Sequence, residues 1–334
     1  MTIRAAKELV RHFLSSVDEA SSEELPAVIS KFCALQHTSY LSFPWREIHG
    51  AEKLAQEFWQ PFRLSFSAMQ RREDIFFAGT NAGDQSTWVV SMGHYMALFD
   101  DTWLNIPPTN STTMVRYAEF HQVDDGQIRQ SGIFIDLIGV MRQAGFDPLP
   151  EETGHHFVYP GPRTHDGILL EDQDPNETVK TSNLVDKMVA DLDELNVSGN
   201  DRCPPELLAR TWHDNMVWYG PAGIGATHTI PRYQQQHQYP FREGLKNKVF
   251  NGHVARLAEG NYAGFFGWPN LNNSPAGFLG TPESDLSVDM QVVDIYRREG
   301  DKLAENWVII DLPYWLAQQG INVFECIQHK GRAT

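Results

Sequence analysis

The sequence predicts an α+β protein built from two tandem units, each beginning with helices and continuing into a mainly antiparallel sheet. Two observations predict this class. The chain repeats itself at a nearly constant spacing, and in each copy the apolar residues first recur every three or four positions and then alternate with period two. Helical periodicity followed by a run of strands is typical of α+β folds. The length of 334 residues suits two domains.

The internal repeat is the strongest organising signal in the chain. Near both ends of each copy the spacing is 175 residues, and between them it is 179. A chance match would not return to its first spacing after an insertion and a deletion, so the sequence indicates a duplication. The matched pairs are Leu9 with Leu184, Tyr40 with Tyr219, His49 with His228, Pro61-Phe62-Arg63 with Pro240-Phe241-Arg242, Pro107 with Pro282, Asp136 with Asp311, and Gly145 with Gly320.

The repeat sets the expected domain limits. We place the first domain at 1–150, a linker at 151–180 and the second domain at 181–326. The linker region is rich in Pro, Gly, Asp and Glu, a composition typical of extended connections. Six apolar residues in it predict that part of it packs across one of the domains: Phe157, Val158, Tyr159, Ile168, Leu169 and Leu170.

Three helices are expected at the start of each copy. The first has apolar residues at helical spacing in both copies, at Leu9, Phe13, Leu14 and Val17 and again at Leu184, Met188 and Leu192. A shorter helix is predicted over 23–35, and Pro204-Pro205 begins its counterpart, since proline is tolerated in a first helical turn. In the second copy a strand at 216–219 and a turn precede a third helix over 233–241.

The remainder of each copy alternates with period two and predicts about four antiparallel strands. A curved sheet wrapped over helices forms a cone with one open end, where a small molecule can bind. Both faces of the last predicted strand, 303–311, are largely apolar, so one face needs a second partner. We therefore expect the two sheets to pack back to back as an internal pseudo-dimer, with further homo-oligomerisation left open. The predicted strands cover 88–92, 114–123, 127–136, 264–268, 288–297 and 303–311.

Composition and charge argue against several classes of function. The net charge of -16 would repel a phosphate backbone, so no nucleic-acid partner is expected. No stretch approaches the roughly 20 apolar residues of a membrane span, and the first residues lack a signal-peptide core. We expect a cytoplasmic protein without a membrane partner. Cys33, Cys203 and Cys326 form no CxxC pair, so neither a disulfide framework nor a zinc knuckle is indicated.

Motifs of the commoner enzyme classes are missing from the sequence. It contains no GxSxG, GxxxxGK[ST] or HExxH segment. The 13 histidines form no helical i, i+4 pair with a third ligand. We therefore expect no metal site.

Asp311 ends an apolar row of the last predicted strand, and Asp136 has the same place in the first copy. A carboxylate among apolar side chains loses hydration, which raises its pKa and makes it a stronger base. A second interpretation is open and is favoured by position alone, because an aspartate directly before the predicted helix 312–319 is a favoured N-cap.

A base that takes a proton beside a carbonyl also needs a group to hold the charge that develops on oxygen. The catalytic candidates beside Asp311 are His228, Arg242 and Asn306. The substrate-binding candidates are Trp218, Tyr219, His253, Trp268 and Trp307. In the first copy His49 and Arg63 accompany Asp136 as a second candidate site.

The segments WHDNMVWYGPAG, NGHVARLAEGNYAGFFGWP and GTPESDLSVDMQVVDIYRREGDKLAENWVIIDLPYWLAQQG resemble the SnoaL-like polyketide cyclase family, which has the nuclear transport factor two-like α+β cone fold. The second copy resembles it over 184–324, and the first mainly through IRQSGIFIDLIGVMRQAG. The resemblance implies aldol chemistry without cofactors, with Asp311 as acid and base. In the first copy Ser131-Gly132 replaces Asn306-Trp307, which puts activity there in doubt.

Residues and resemblance together imply a cofactor-free cyclase that acts on a hydrophobic, carbonyl-rich small molecule by an intramolecular aldol step. Two alternatives remain open. The hollow could hold a metabolite without catalysis, or the same scaffold could serve a hydrolase or an isomerase. The sequence does not decide whether one hollow or both are active.

Overall fold

The structure is a computed structural model that describes residues 1–198 and 202–330. The chain forms two compact units. The first comprises Met1–Pro148, Arg163–Asp172 and Asn322–Thr334, and the second comprises Leu149–Pro162 and Gln173–Ile321. Each contains helices and a six-stranded sheet, so the predicted class of two tandem α+β units is confirmed. The back-to-back packing of the two sheets stays a prediction.

The interval that the sequence assigns to a linker is shared between the units. In the second unit, the backbone N–H of His155 donates to the carbonyl of Ala226 at 3.1 Å. In the first unit, the N–H of Leu169 donates to the carbonyl of Phe76 at 2.7 Å. Of the six apolar residues expected to hold this interval against a domain, Tyr159 and Leu169 are buried, while Phe157, Val158, Ile168 and Leu170 are exposed.

The first unit has one mixed sheet and a set of short helices. Its strand order is β2-β1-β6-β5-β4-β3, in which only the β1/β6 pair is parallel. A π-helical turn, Ala55–Trp59, joins α3 to α4. The helices are α1 (Ile3–Glu19), α2 (Leu25–Phe32), α3 (Ala51–Leu54), α4 (Gln60–Ser65) and α5 (Leu137–Gln143), and the strands are β1 (Cys33–Leu41), β2 (Arg46–His49), β3 (Phe66–Thr80), β4 (Thr87–Phe99), β5 (Thr112–Asp124) and β6 (Gln127–Ile135).

The second unit repeats this plan and adds a three-stranded sheet. Its helices are α6 (Pro175–Ser198), α7 (Pro205–Leu208), α8 (Ile230–Tyr233), α9 (Tyr239–Glu243) and α10 (Leu312–Ala317), with a π-helical turn at Gln234–Gln238 and a 3₁₀ turn at Phe278–Gly280. Its strands are β7 (Trp212–Tyr219), β8 (Ala226–His228), β9 (Leu245–Phe250), β10 (Ala255–Glu259), β11 (Tyr262–Phe266), β12 (Leu271–Pro275), β13 (Val288–Met290), β14 (Val292–Glu299) and β15 (Lys302–Ile310). The last helix, α11 (Glu325–Lys330), lies in the part of the chain assigned to the first unit.

The second unit contains two sheets of different size. The larger one has the order β10-β11-β14-β15-β7-β8, again with one parallel pair, β15/β7. The smaller one has the order β13-β12-β9. Helix α6 packs against β10 and β11. Among the described residues, no helix has the length and apolar character that crossing a membrane requires.

Local sequence explains where the first helix begins and ends. The Thr2 hydroxyl accepts a hydrogen bond from the N–H of Ala5 and so caps α1. Of the four apolar residues predicted at helical spacing, Phe13, Leu14 and Val17 are buried, as expected, and Leu9 is half-buried. At the other end, the guanidinium of Arg63 donates to the carbonyls of Asp18 and Ala20 at 3.1 and 3.2 Å. Backbone acceptors near the end of α1 are thus satisfied by a side chain.

Several element boundaries differ from the predictions. The helix expected over 23–35 ends at Phe32, because the chain enters β1 at Cys33 and pairs with β6. The third helix of the second unit begins at Ile230 and continues through the π-helical turn. The strand expected over 288–297 is divided between β13 and β14. Strand β3 was not predicted, since its polar run at 70–74 masks the alternation.

Candidate active site

The second unit contains a cavity of about 230 Å³ beside β14 and β15. Its wall is mainly aromatic and aliphatic, with Trp218, Phe241, Phe265, Val308 and Ile310 among the lining residues. A smaller set of polar side chains also lines it, namely Asp193, Tyr233, His237, Gln238, Arg242, His253, Asn270, Asp294, Tyr296 and Asn306. An apolar cavity with a few placed polar groups is typical of a small-molecule site.

The alternation of β14 and β15 decides which side chains face the cavity. Asp294 and Tyr296 share one face of β14, and Asn306 and Val308 share the matching face of β15. The two strands pair in register, with Tyr296 opposite Asn306 and Asp294 opposite Val308. The even-numbered residues therefore line the cavity, and the odd-numbered ones point away from it.

Asp294 is the carboxylate of this cavity nearest to the sheet centre. The side-chain amide of Asn306 donates to Asp294 Oδ1 at 3.1 Å and to the carbonyl of Ile295 at 3.1 Å. Burial raises the pKa of Asp294 to about 6, against the hydrogen bonds from Asn306 and Tyr296, which lower it. A carboxyl group with this pKa exchanges protons near neutral pH.

Two histidines of the cavity stack on aromatic rings. The imidazole of His237 lies on the indole of Trp218 with 3.9 Å between ring centroids and an interplanar angle of 14°. His253 lies on Phe265 at 3.9 Å. Burial lowers the pKa of each to about 3, with the Arg256 charge adding to the effect at His253. Both imidazoles are therefore neutral near pH 7.

A glycine makes room for the Trp218 indole. A Cβ atom added to Gly220 would lie 2.0 Å from the Trp218 ring. No side chain fits at that distance, so the position of the indole depends on glycine two residues later. Trp218 and His237 together thus form a rigid part of the wall.

Among the described residues, no group of three or more His, Cys, Asp or Glu side chains is arranged to hold a metal ion. The His, Asp and Glu side chains that line the cavity are Asp193, His237, His253 and Asp294. They are suited to hydrogen bonding and proton transfer.

Asp311, the predicted catalytic base, does not line the cavity. It is 2% exposed, and its Oδ1 accepts a hydrogen bond from the N–H of Tyr314 at 3.3 Å, which makes it the N-cap of α10. The expected position in the hollow is wrong because alternation along β15 directs odd-numbered residues to the other face. Of the two interpretations of Asp311, the geometry supports the N-cap.

The other predicted site residues divide into two groups. Arg242, Asn306, Trp218 and His253 line the cavity, as expected. The remaining four do not. His228 is exposed on β8, Trp268 lies outside the lining, and Tyr219 and Trp307 stack on each other at 5.4 Å.

Trp307 shows what covers the outer face of β15. Its indole N–H donates to the carbonyl of Pro160 at 3.0 Å, and Tyr159 packs on Tyr219 with 5.3 Å between centroids. Both residues belong to Leu149–Pro162 of the same unit. In this region, the second apolar face of the strand is thus buried by the chain's own connecting segment.

The candidates in the first unit are structural. Asp136 accepts a hydrogen bond from the N–H of Gly139 at 3.2 Å and caps α5. His49 is exposed, with Nδ1 3.3 Å from the Thr38 hydroxyl. Arg63 holds the end of α1, as described above. The geometry does not bring these three side chains together into a site.

Asp294, Tyr296 and His237 were not predicted as site residues from the sequence. The repeat could have pointed to Asp294, because this residue matches Glu119 at the spacing of 175 residues. The strand registers support this match. His121 pairs with Ser131 in the first unit, as Tyr296 pairs with Asn306 in the second.

Glu119 has a very different environment from its counterpart. Arg71 donates to it at 2.8 Å, His121 donates at 3.0 Å, and the Tyr95 hydroxyl also donates to it. The same Arg71 binds Asp18 at 2.9 Å. Burial acts to raise the pKa of Glu119, but Arg71 and these hydrogen bonds outweigh it and lower the pKa to about 2. In this unit, the acid is therefore held as a permanent anion.

No protein-family model matches this sequence, and no curated protein matches it. Solved structures are similar to part of it. One is a protein from Jannaschia sp. CCS1 assigned as a SnoaL-like polyketide cyclase, 19% identical, covering 40% of this chain and 88% of its own, with a TM-score of 0.32. Another is a nuclear transport factor two-like protein from Burkholderia xenovorans LB400, at 10% identity, 42% and 96% coverage and a TM-score of 0.34.

A third similar structure is IdmH from Streptomyces antibioticus, assigned as a polyketide cyclase. It is 17% identical, covers 41% of this chain and 99% of its own, and has a TM-score of 0.32. The solved structures similar to part of this chain thus include proteins assigned as SnoaL-like polyketide cyclases and nuclear transport factor two-like proteins.

Proposed function

We propose that the second unit is an acid/base enzyme for a hydrophobic carbonyl compound, with Asp294 as the group that moves the proton. The observation that carries this proposal is the environment of Asp294. Its carboxyl group lies in the wall of an apolar cavity, is oriented by Asn306 at 3.1 Å and has a pKa raised to about 6. A base with a pKa near the working pH is most effective at proton transfer.

The reaction begins with the Asp294 carboxylate taking a proton from a carbon next to a carbonyl. The electron pair of the broken C–H bond moves to the carbonyl oxygen and gives an enolate, and Asp294 becomes a neutral acid. In a substrate with a second carbonyl, the enolate carbon attacks it and closes a ring. Asp294 then returns the proton to the new alkoxide, so that protons balance over the cycle.

The cavity supplies a polar environment for the enolate oxygen. Arg242 is 6% exposed and lines the cavity. A guanidinium in an apolar setting stabilises a developing negative charge more strongly than it does in water. The ring-closing form of this chemistry is the aldol reaction that the family resemblance implies, and the same proton transfer without ring closure is an isomerisation.

The proposal is tested with β-tetralone, a two-ring ketone with acidic C–H bonds. The full-length protein is incubated with it in D₂O, and exchange of the protons next to the carbonyl is followed by NMR. We expect catalysed exchange, and a fall of about 10²-fold or more for Asp294→Asn, the usual contribution of a general base. Exchange by the variant at the wild-type rate would remove Asp294 from this role.

A further inference from the structure

The two π-helical turns stand at equivalent positions of the duplicated chain and carry different side chains. Ala55–Trp59 precedes α4 in the first unit, and Gln234–Gln238 precedes α9 in the second. The fourth residue of the turn is Phe58 in one unit and His237 in the other. Such turns are frequent at functional sites. Because the chain is duplicated, the side chains at the same position of the two turns can be compared.

Phe58 is an ordinary core residue. It is 1% exposed, and its ring packs edge-on against Trp45 and Trp59 with 5.0 Å between centroids in each case. It brings no polar atom into the interior. At this position, therefore, the fold itself needs only an apolar ring.

His237 is also buried, at 9% exposure, but it brings polar atoms that the protein does not satisfy. In the described part of the chain, its Nδ1 has no hydrogen-bond partner. The next residue, Gln238, lines the same cavity at 4% exposure, and its Oε1 has no hydrogen-bond partner among the described residues. Its amide N–H interacts weakly with the sulfur of Cys203, whose pKa is raised by burial and lowered in part by this contact.

Unpaired polar groups in the interior are costly. Each has lost its hydrogen bonds with water without gaining a replacement, and a phenylalanine at 237 would avoid this cost, as Phe58 does in the first unit. Native proteins contain few such groups, and each calls for a partner or a role. Because these side chains line a cavity, a bound molecule can supply the partner.

We propose that His237, with Gln238 beside it, binds an uncharged oxygen of the substrate, a carbonyl or hydroxyl group on a compound of one or two rings. The proposal rests on the proposed function, in which Asp294 acts in the same cavity. The neutral imidazole has one N–H donor and one acceptor. With the hydrogen on Nδ1, the ring atom that has no partner among the described residues becomes a donor to this oxygen.

The size of the cavity and the stacking of His237 support this substrate class. A cavity of about 150 Å³ is enough to hold benzene, so the volume of about 230 Å³ here accommodates one ring or two fused rings. The contact between His237 and Trp218 fixes the plane of the imidazole. Its N–H can therefore point in a set direction, as specific recognition of an oxygen requires.

The test compares three probes of similar shape on the full-length protein: naphthalene, β-naphthol and β-tetralone. Dissociation constants are measured by quenching of tryptophan fluorescence and checked by calorimetry. We expect His237→Phe to weaken binding of the two oxygen-bearing probes by about tenfold, equal to one neutral hydrogen bond, and to leave naphthalene binding unchanged. His237→Gln, which keeps a donor, should restore part of the difference.

The first unit offers a matched control. Phe58→His introduces the same group at the equivalent position, and we expect it to lower stability while leaving the binding of all three probes unchanged. Thermal unfolding of every variant is recorded, and His237→Leu is measured if His237→Phe does not fold. An equal loss of affinity for the three probes, no loss for any, or no binding of any probe by the wild type overturns the proposal.

The two proposals can fail separately. Asp294→Asn should abolish exchange of β-tetralone and keep the preference of the protein for β-naphthol over naphthalene. If His237→Phe weakens binding as expected but the wild type catalyses no exchange, the role of His237 in binding survives and the enzymatic function does not. If exchange occurs and His237→Phe changes neither affinity nor KM, only the inference about His237 fails.

Discussion

Glu119 and Asp294 occupy equivalent positions on β5 and β14, and their surroundings make one a permanent anion and the other a group that titrates near neutral pH. Arg71 binds Glu119 at 2.8 Å. Asp294 interacts with Asn306 and Tyr296 instead, and among the described residues it forms no ion pair. The duplicated chain thus uses one position for stability in the first unit, and in the second the same position is available for chemistry.

Removing the Glu119 charge should destabilise the protein. Glu119→Gln leaves Arg71 buried without one of its two carboxylates, and breaking a buried pair costs about 3–5 kcal/mol. The measurement is the free energy of unfolding in urea at pH 7. Glu8→Gln is the control, because the Arg4–Glu8 pair is exposed and such pairs contribute less than about 1 kcal/mol. A similar small effect for both variants would contradict the interpretation of Glu119.

The contribution of Glu119 should depend on pH in the direction its pKa sets. The pKa is about 2 in the folded protein and lies near 4.5 without its partners. Stability from this group is therefore fully present above pH 4.5 and is lost as pH falls towards 2. The difference in unfolding free energy between wild type and Glu119→Gln should shrink over that interval. A constant difference from pH 7 to pH 2 would speak against a bound carboxylate.

Catalysed exchange of β-tetralone should follow the ionisation of Asp294. The carboxylate is the active form, so the rate should rise with pH, with a midpoint at about 6, and reach a plateau above it. The first-order rate constant at saturating probe is measured from pH 4.5 to 8. A midpoint near 4, the usual value for aspartate, would mean that a solvated carboxyl group controls the rate.

The same raised pKa predicts that the stability contributed by Asp294 falls with rising pH, whereas the exchange rate rises. Folding favours the protonated form of Asp294, so its contribution is fully present below pH 3.8 and is lost as pH rises to about 6. Asp294→Asn cannot ionise and escapes this loss. Relative to the wild type, its unfolding free energy should increase by up to about 3 kcal/mol between pH 4 and pH 7.5. A decrease of this relative unfolding free energy over the same interval would exclude a buried carboxylate without an ion-pair partner.

Much of the fold could be predicted from the sequence, because local patterns determine it. The helical spacing of Phe13, Leu14 and Val17 and the alternation in β5 and β6 are properties of short segments, and the repeat supported each in both copies. Strand β3 was not predicted because its polar residues Arg71 and Glu73 have side-chain partners distant in sequence. The parallel pair of each six-stranded sheet was not predicted because it joins strands that are far apart along the chain.

Predicting the candidate site required knowing which face of β15 lines the cavity, and local sequence patterns did not determine this. Both faces of β15 are apolar, so alternation alone did not show whether the face of Trp307 or that of Val308 lines the cavity. Contacts of Trp307 with Tyr219 and with Pro160, 147 residues away along the chain, decide it. Once Trp307 is on the outer face, Asp311 follows it there, and Asn306 and Asp294 face the cavity.

Asp311 provides a last and direct comparison with Asp294. As the N-cap of α10, it should tolerate Asp311→Asn, since asparagine accepts the same hydrogen bond, and Asp311→Ala should cost about 1 kcal/mol of stability. Neither change removes a group from the cavity wall, so we expect the exchange rate of β-tetralone to stay within about twofold of wild type where the protein is folded. Urea unfolding and exchange are measured on the same samples. If Asp311→Asn lost exchange as completely as Asp294→Asn while its unfolding free energy was unchanged, the base would be Asp311, and the catalytic assignment would return to the end of the last strand.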